Sequence, residues 1–144
     1  MQSVLEKMSR ANYDRIIILP LYPQNASSTT GSSLEKAMQI ISKWWVIPEI
    51  KMISQYYDHP KYIQAFVERG REHDLKSYDH VVFSFHGVPE RHVDKVYFDN
   101  RPCKDHHCEE GITDENKFCY KATCYNTAKR IAAELNISEY TVVF

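Results

Sequence analysis

Four short β-rich runs, each separated from the next by a helical pattern, constrain this 144-residue chain more than any other feature. The runs are 15–22 (RIIILPLY), 49–54 (EIKMIS), 80–85 (HVVFSF) and 140–144 (YTVVF). Strands that alternate with helices can pair in parallel, because each helix supplies the long return that a parallel neighbour needs. The first run is uniformly apolar instead of alternating, which predicts a strand buried on both faces. Between the runs, Ser32 and Glu35 are spaced as a capping box, and Leu34, Ala37, Met38, Ile41 and Trp45 follow as one apolar stripe. Pro60 opens a second stripe of Tyr62, Ile63, Phe66 and Val67. Tyr125, Ala128, Ala132 and Leu135 make a third, and Ser3 with Glu6 suggests a capped leading helix. The expected class is therefore α/β, with parallel sheets flanked by helices. The first helical pattern starts at residue 1 and the last β-run stops at residue 144, where its sheet edge would lie unpaired. The chain is thus expected to be incomplete at both ends, a piece of a longer protein.

Composition narrows the class of function. Lys plus Arg number 18 against 19 Asp plus Glu, so there is no overall basic field for nucleic acid and no basic cluster for anionic lipid. The longest apolar run is interrupted by Pro20 and falls far short of the roughly 20 residues of a membrane span. The N-terminus reads as a polar helix and not as an export signal, which makes a reducing cytoplasm the expected compartment and paired structural disulfides unexpected.

Two strand-to-helix loops carry chemistry, and in open α/β sheets sites lie beyond the carboxyl ends of strands. In 20–33 (PLYPQNASSTTGSS), the hydroxyls of Ser27, Ser28, Thr29, Thr30, Ser32 and Ser33 precede a helix N-terminus that suits an anion, or simply cap a long loop. In 84–90 (SFHGVPE), His86 stands at the mouth of a strand, where an imidazole can take a proton or bind a metal, and Gly87 lets the chain turn away. His92, six residues on, reads as a solvated or supporting group.

All four cysteines fall in 103–124, spaced Cys-x4-Cys-x10-Cys-x4-Cys. Four soft thiolates in two pairs suit zinc or an iron–sulfur cluster better than free thiols or disulfides. Only Ile112, Phe118 and Tyr120 are larger apolar residues inside this acidic segment, so it is expected to need a metal to hold it. Asp105, Glu109, Glu110, Asp114 and Glu115 read as a solvated rim.

The segments RIIILPLYPQNASSTTGSS and VVFSFHGVPE, in this order and on these elements, resemble ferrochelatase. The resemblance covers residues 1–92 and resumes from about 124 to 144. It implies a chelatase-like, Rossmann-type three-layer α/β/α fold, with the end of a first domain at 1–76 and the start of a second at 77–144. A cysteine-rich insertion at about 99–124 would lie in the second. It further implies an enzyme, a lyase of haem biosynthesis, that inserts ferrous iron into protoporphyrin IX to give protohaem and two protons.

By the same resemblance His86 is the catalytic residue that takes a pyrrole proton or contacts the substrate iron. Tyr22, Gln24, Ser28, Thr29 and Thr30 belong to the porphyrin-cleft loop, and Ser84 and Pro89 shape the turn. A subset of bacterial ferrochelatases resembles this chain in placing four cysteines after the HGxP motif, which implies Cys103, Cys108, Cys119 and Cys124 as ligands of a 2Fe–2S cluster, with zinc as the alternative occupant. The animal-type arrangement is absent, since Ser27 or its neighbour stands where one of its ligands would be. The family's glycine-rich porphyrin loop and its acidic metal-side residues fall outside this sequence, so the chain alone is expected to be inactive. The expected partners are porphyrin and ferrous iron, with no nucleic acid and no transmembrane span; peripheral membrane contact and oligomeric state stay open. Competing readings are a chelatase for coproporphyrin, another tetrapyrrole or cobalt, and a non-enzymatic zinc- or cluster-binding module.

Overall fold

The computed structural model describes all residues 1–144 and has the expected α/β class, with five helices and four strands. The chain packs as two units, Met1–Gln55 and Tyr56–Phe144.

In the first unit, α1 (Gln2–Met8) leads into β1 (Arg15–Ile18), α2 (Ser32–Ile41) and β2 (Glu49–Met52). β1 and β2 pair in parallel from Arg15 opposite Glu49 to Ile18 opposite Met52. β1 is shorter than its apolar run, because Leu19 leads straight into Pro20, which has no N–H to give to a ladder. It also alternates: Ile16 is buried while Ile17 is exposed, so only one face is covered. On that core Leu5, Ala37 and Ile41 pack with Ile18, Met38, Trp44 and Ile50. Trp45 is fully exposed, contrary to its place in the predicted stripe. The helix ends at Ile41, and a turn in which the Trp44 amide donates to the Ile41 carbonyl brings Trp44 inward instead.

Neither predicted capping box forms. α1 starts at Gln2, one residue before Ser3. Ser32 is already inside a helix, because a π-helical turn, Ser27–Gly31, runs directly into α2. Its hydroxyl donates back to the carbonyls of Ser28 (2.9 Å) and Thr29 (3.1 Å), the bond a serine makes within a helix.

The second unit holds α3 (Pro60–Arg71), β3 (Val81–Ser84), α4 (Glu90–Asp94), α5 (Tyr120–Glu134) and β4 (Tyr140–Val143). β3 and β4 pair in parallel from Val81 opposite Tyr140 to Ser84 opposite Val143. Ile63 and Val67 of α3 meet Ile131 of α5, with Tyr62, Phe83 and Leu135 around them. The two helices approach so closely that a Cβ on Gly70 would lie 2.6 Å from Leu135 Cδ1. The Thr127 hydroxyl donates to the Tyr57 carbonyl (3.0 Å), fixing α5 to the chain that enters α3.

Candidate functional site

α5 begins at Tyr120, five residues before the apolar stripe that announces it, and this start positions the thiols. Cys119 becomes the N-cap and Cys124 lies inside the helix, both fully buried. Cys103 opens a short 3-10 turn, Cys103–His106, and its amide donates to the Asp94 carboxylate of α4 at 2.8 Å. The intervening loop is tied by buried Asn116. Its Oδ1 accepts from the Thr113 amide (2.7 Å), its Nδ2 donates to the Gly111 carbonyl (2.8 Å), and its carbonyl accepts from the Cys119 amide (2.8 Å).

Three thiols converge. Cys103 Sγ is 3.3 Å from Cys108 Sγ and 3.6 Å from Cys119 Sγ, and the last two are 3.8 Å apart. Cys124 is buried but stands outside this group of three. The thiols are themselves core: Cys103, Cys108 and Cys119 pack with Val93, Tyr97 and Ala122. The segment therefore packs with help from outside it: Val93 of α4 and Tyr97 complete a core to which the cysteines themselves contribute.

The centre is polarised. Hydrogen bonds from Cys103 and then Cys108 hold the Cys119 thiol down at about 2, against burial, which acts the other way. The helix N-terminus adds to this, as N-terminal peptide dipoles favour a thiolate. Cys103 is raised by its bonds to Cys108 and Cys119 and by burial. For Cys108 the bond from Cys103 lowers the pKa, but the bond to Cys119 and burial outweigh it. Cys119 is thus the thiol most favoured to ionise, with the other two as donors. Burial pushes the Cys124 thiol up to about 12, partly relieved by Tyr120.

The donor set fits a soft-metal group: four thiols, all buried, with Cys119 the most favoured to ionise. Three of them are spaced like ligands of one metal atom, since a metal–sulfur bond of about 2.3 Å gives a tetrahedral edge of about 3.8 Å. His106 does not join them. Its ring stacks on Tyr97 (centroids 3.6 Å apart, planes at 8°) and its Nε2 lies 3.3 Å from the Asp99 carboxylate. His107 is exposed in a left-handed turn, and the five acidic rim residues are exposed as expected. Tyr97, which periodicity does not mark, hydrogen-bonds Cys108 Sγ at 2.9 Å.

His86 is exposed just past the end of β3, where the Phe85 amide extends the ladder to the Val143 carbonyl at 2.9 Å. The Tyr120 hydroxyl donates to the His86 carbonyl (2.8 Å), so the residue after Cys119 holds the HGVP loop. Gly87 does not adopt a positive φ, contrary to the sharp turn expected of it; a Cβ there would instead lie 3.4 Å from the Phe144 backbone. His92 is half-buried, and its buried Nδ1 has no hydrogen-bond partner. The second segment does not converge. In the first unit Tyr22 and Ser28 are exposed, Thr29 is half-buried and bonded to the Ala26 carbonyl, and Gln24 and Thr30 are buried.

Parallel α/β pairing, an imidazole at a strand mouth and, in the same unit, three converging thiols that could hold a metal ion define the class as an α/β protein with a candidate metal centre. The ferrochelatase family model matches residues 1–144, and the chain belongs to the ferrochelatase family. Over 134 residues it is 39% identical to the ferrochelatase of Legionella pneumophila (strain Corby), covering 90% of this chain and 38% of that protein. Over 139 residues it is 32% identical to that of Pseudomonas savastanoi pv. phaseolicola, covering 96% and 41%. The chain therefore spans about two fifths of the length of these relatives.

Proposed function

We propose that this chain is the central part of an enzyme that inserts ferrous iron into protoporphyrin IX, releasing two protons, and that it carries a 2Fe–2S cluster. The observation that supports the chelatase reading most is the family match along the entire sequence, with His86 exposed at the mouth of β3. An imidazole in that position accepts a pyrrole proton at neutral pH, and it can also touch the incoming iron. The Tyr120 bond to the His86 carbonyl fixes the loop that carries it. Tyr22, Gln24, Ser28, Thr29 and Thr30 belong to the porphyrin-contacting segment; Tyr22 and Ser28 have side chains open to a ligand. The family plan of two domains meeting near residue 76 is part of this proposal, as is a cytoplasmic setting.

Cys103, Cys108, Cys119 and Cys124 hold the cluster, which when bound supplies a one-electron redox centre and a covalent brace for the segment. A single zinc ion is the second reading, favoured by the mutual spacing of three thiols. No helix is long and apolar enough to cross a membrane.

Anaerobic incubation of the full-length protein with ferrous iron and protoporphyrin IX tests the chelatase reading. Appearance of the protohaem spectrum at an enzyme-dependent rate is expected. No rate above the uncatalysed reaction, or turnover only with cobalt or another tetrapyrrole, would overturn it.

A further inference from the structure

Among the groups that ligation and the His86 loop leave unassigned, the strongest is a buried polar stack behind Cys108. Tyr97 is only 7% exposed, and its hydroxyl is 2.9 Å from Cys108 Sγ. Its ring is clamped face to face on His106, whose side chain is only 5% exposed. His106 in turn faces Asp99, which is held by Arg101 through a 2.6 Å ion pair and a 3.0 Å bond from the Arg101 amide. Asp99, His106 and Tyr97 thus form a line from the protein surface to one sulfur.

We propose that Tyr97 is a positioning residue of the metal centre, donating its O–H to the Cys108 thiolate and so tuning the reduction potential of the group held there. The inference rests on the ligation proposed above. A metal-bound thiolate has no proton to give, and a neutral phenol has one, so the direction of the bond is fixed once Cys108 is a ligand. Hydrogen bonds to ligand sulfurs are one of the protein's levers on cluster potential. Donation withdraws charge from sulfur, and the reduced cluster carries the greater negative charge, so the bond favours reduction. The stack makes this an ordered donor: the tyrosine ring has little room to turn between His106 and the thiols.

Tyr97→Phe in the full-length, cluster-loaded protein tests this, because it removes the hydroxyl and keeps the ring stack. Iron and sulfide content should be unchanged, the midpoint potential should move to more negative values, and the iron–cysteinate stretching bands should shift in resonance Raman spectra. Unchanged potential and bands would overturn the proposal, since a residue that only fills space loses nothing in this variant. Should Tyr97→Phe fail to load, 3-fluorotyrosine at position 97 has nearly the same shape and a stronger donor. It must move the potential to more positive values, and no movement overturns the proposal. Should the unsubstituted protein contain zinc and no sulfide, the cluster reading fails separately. Tyr97 is then judged on zinc transfer to a chelator. Zinc affinity should fall about tenfold or more in Tyr97→Phe if the bond holds Cys108, and equal affinity overturns the proposal.

Discussion

Segments 20–33 and 103–124 are both dense in side chains with chemistry to offer, and the chain uses them in opposite ways. In 103–124 the functional groups meet: three sulfurs lie within 3.8 Å of one another, and they are themselves the local core. In 20–33 the hydroxyls spread along a helical turn: Thr29 bonds the Ala26 carbonyl and Ser32 that of Ser28, while the buried Thr30 hydroxyl has no partner. A soft group that is hydrophobic when protonated can be buried and still wait for a metal. A hydroxyl on a helical turn is readily drawn into a bond to the backbone carbonyl beside it. A cysteine cluster therefore builds its own pocket, whereas a serine-threonine run is claimed first by the helix it starts.

Cys119→Ala should break the contrast most completely. It removes the most readily ionised member of the trio and the N-cap of α5, so metal content should fall to background, as measured by iron, zinc and sulfide assays. Retention of the full complement would show that Cys119 is no ligand. His86→Ala comes next: loss of a positioned proton acceptor should lower the chelation rate by roughly 10²–10⁴-fold while the metal content stays whole. A parallel loss of metal would mean that the loop and the thiol centre are one structure.

Ile41→Ala addresses the first unit alone. Ile41 is fully buried against Leu5 and Ala37, and its truncation should cost about 2–5 kcal/mol in denaturant unfolding of that unit. Metal content should not change. Ser32→Ala should do least. Its hydroxyl is exposed and serves only two helical carbonyls, so stability should move by no more than about 0.5 kcal/mol. A larger loss would show that the hydroxyl run is structural in a way its bonds do not display.

Much of this was legible in the sequence, for identifiable reasons. The β-runs are compact and rich in Ile and Val, so all four strands were visible, each overextended by one to four residues where pairing stopped before the apolar run did. The confinement of every cysteine to 103–124 pointed to a candidate metal site, and three of the thiols do converge. Which thiols converge did not follow, because it depends on α5 starting at Tyr120, ahead of its stripe. Trp45 is misplaced in the stripe because the stripe runs past Ile41, where the helix stops. Tyr97 had no signal at all: its role comes from stacking on His106, nine residues away across an irregular segment.

The most direct test of the central claim is an absorption spectrum of the anaerobically purified protein, with iron, zinc and acid-labile sulfide assayed on the same sample. Visible charge-transfer bands, with iron and sulfide in equal amounts near two per chain, are the predicted result for a 2Fe–2S cluster on four thiolates. A colourless protein with about one zinc per chain and no sulfide would contradict it, and would assign the converging thiols to a single structural ion.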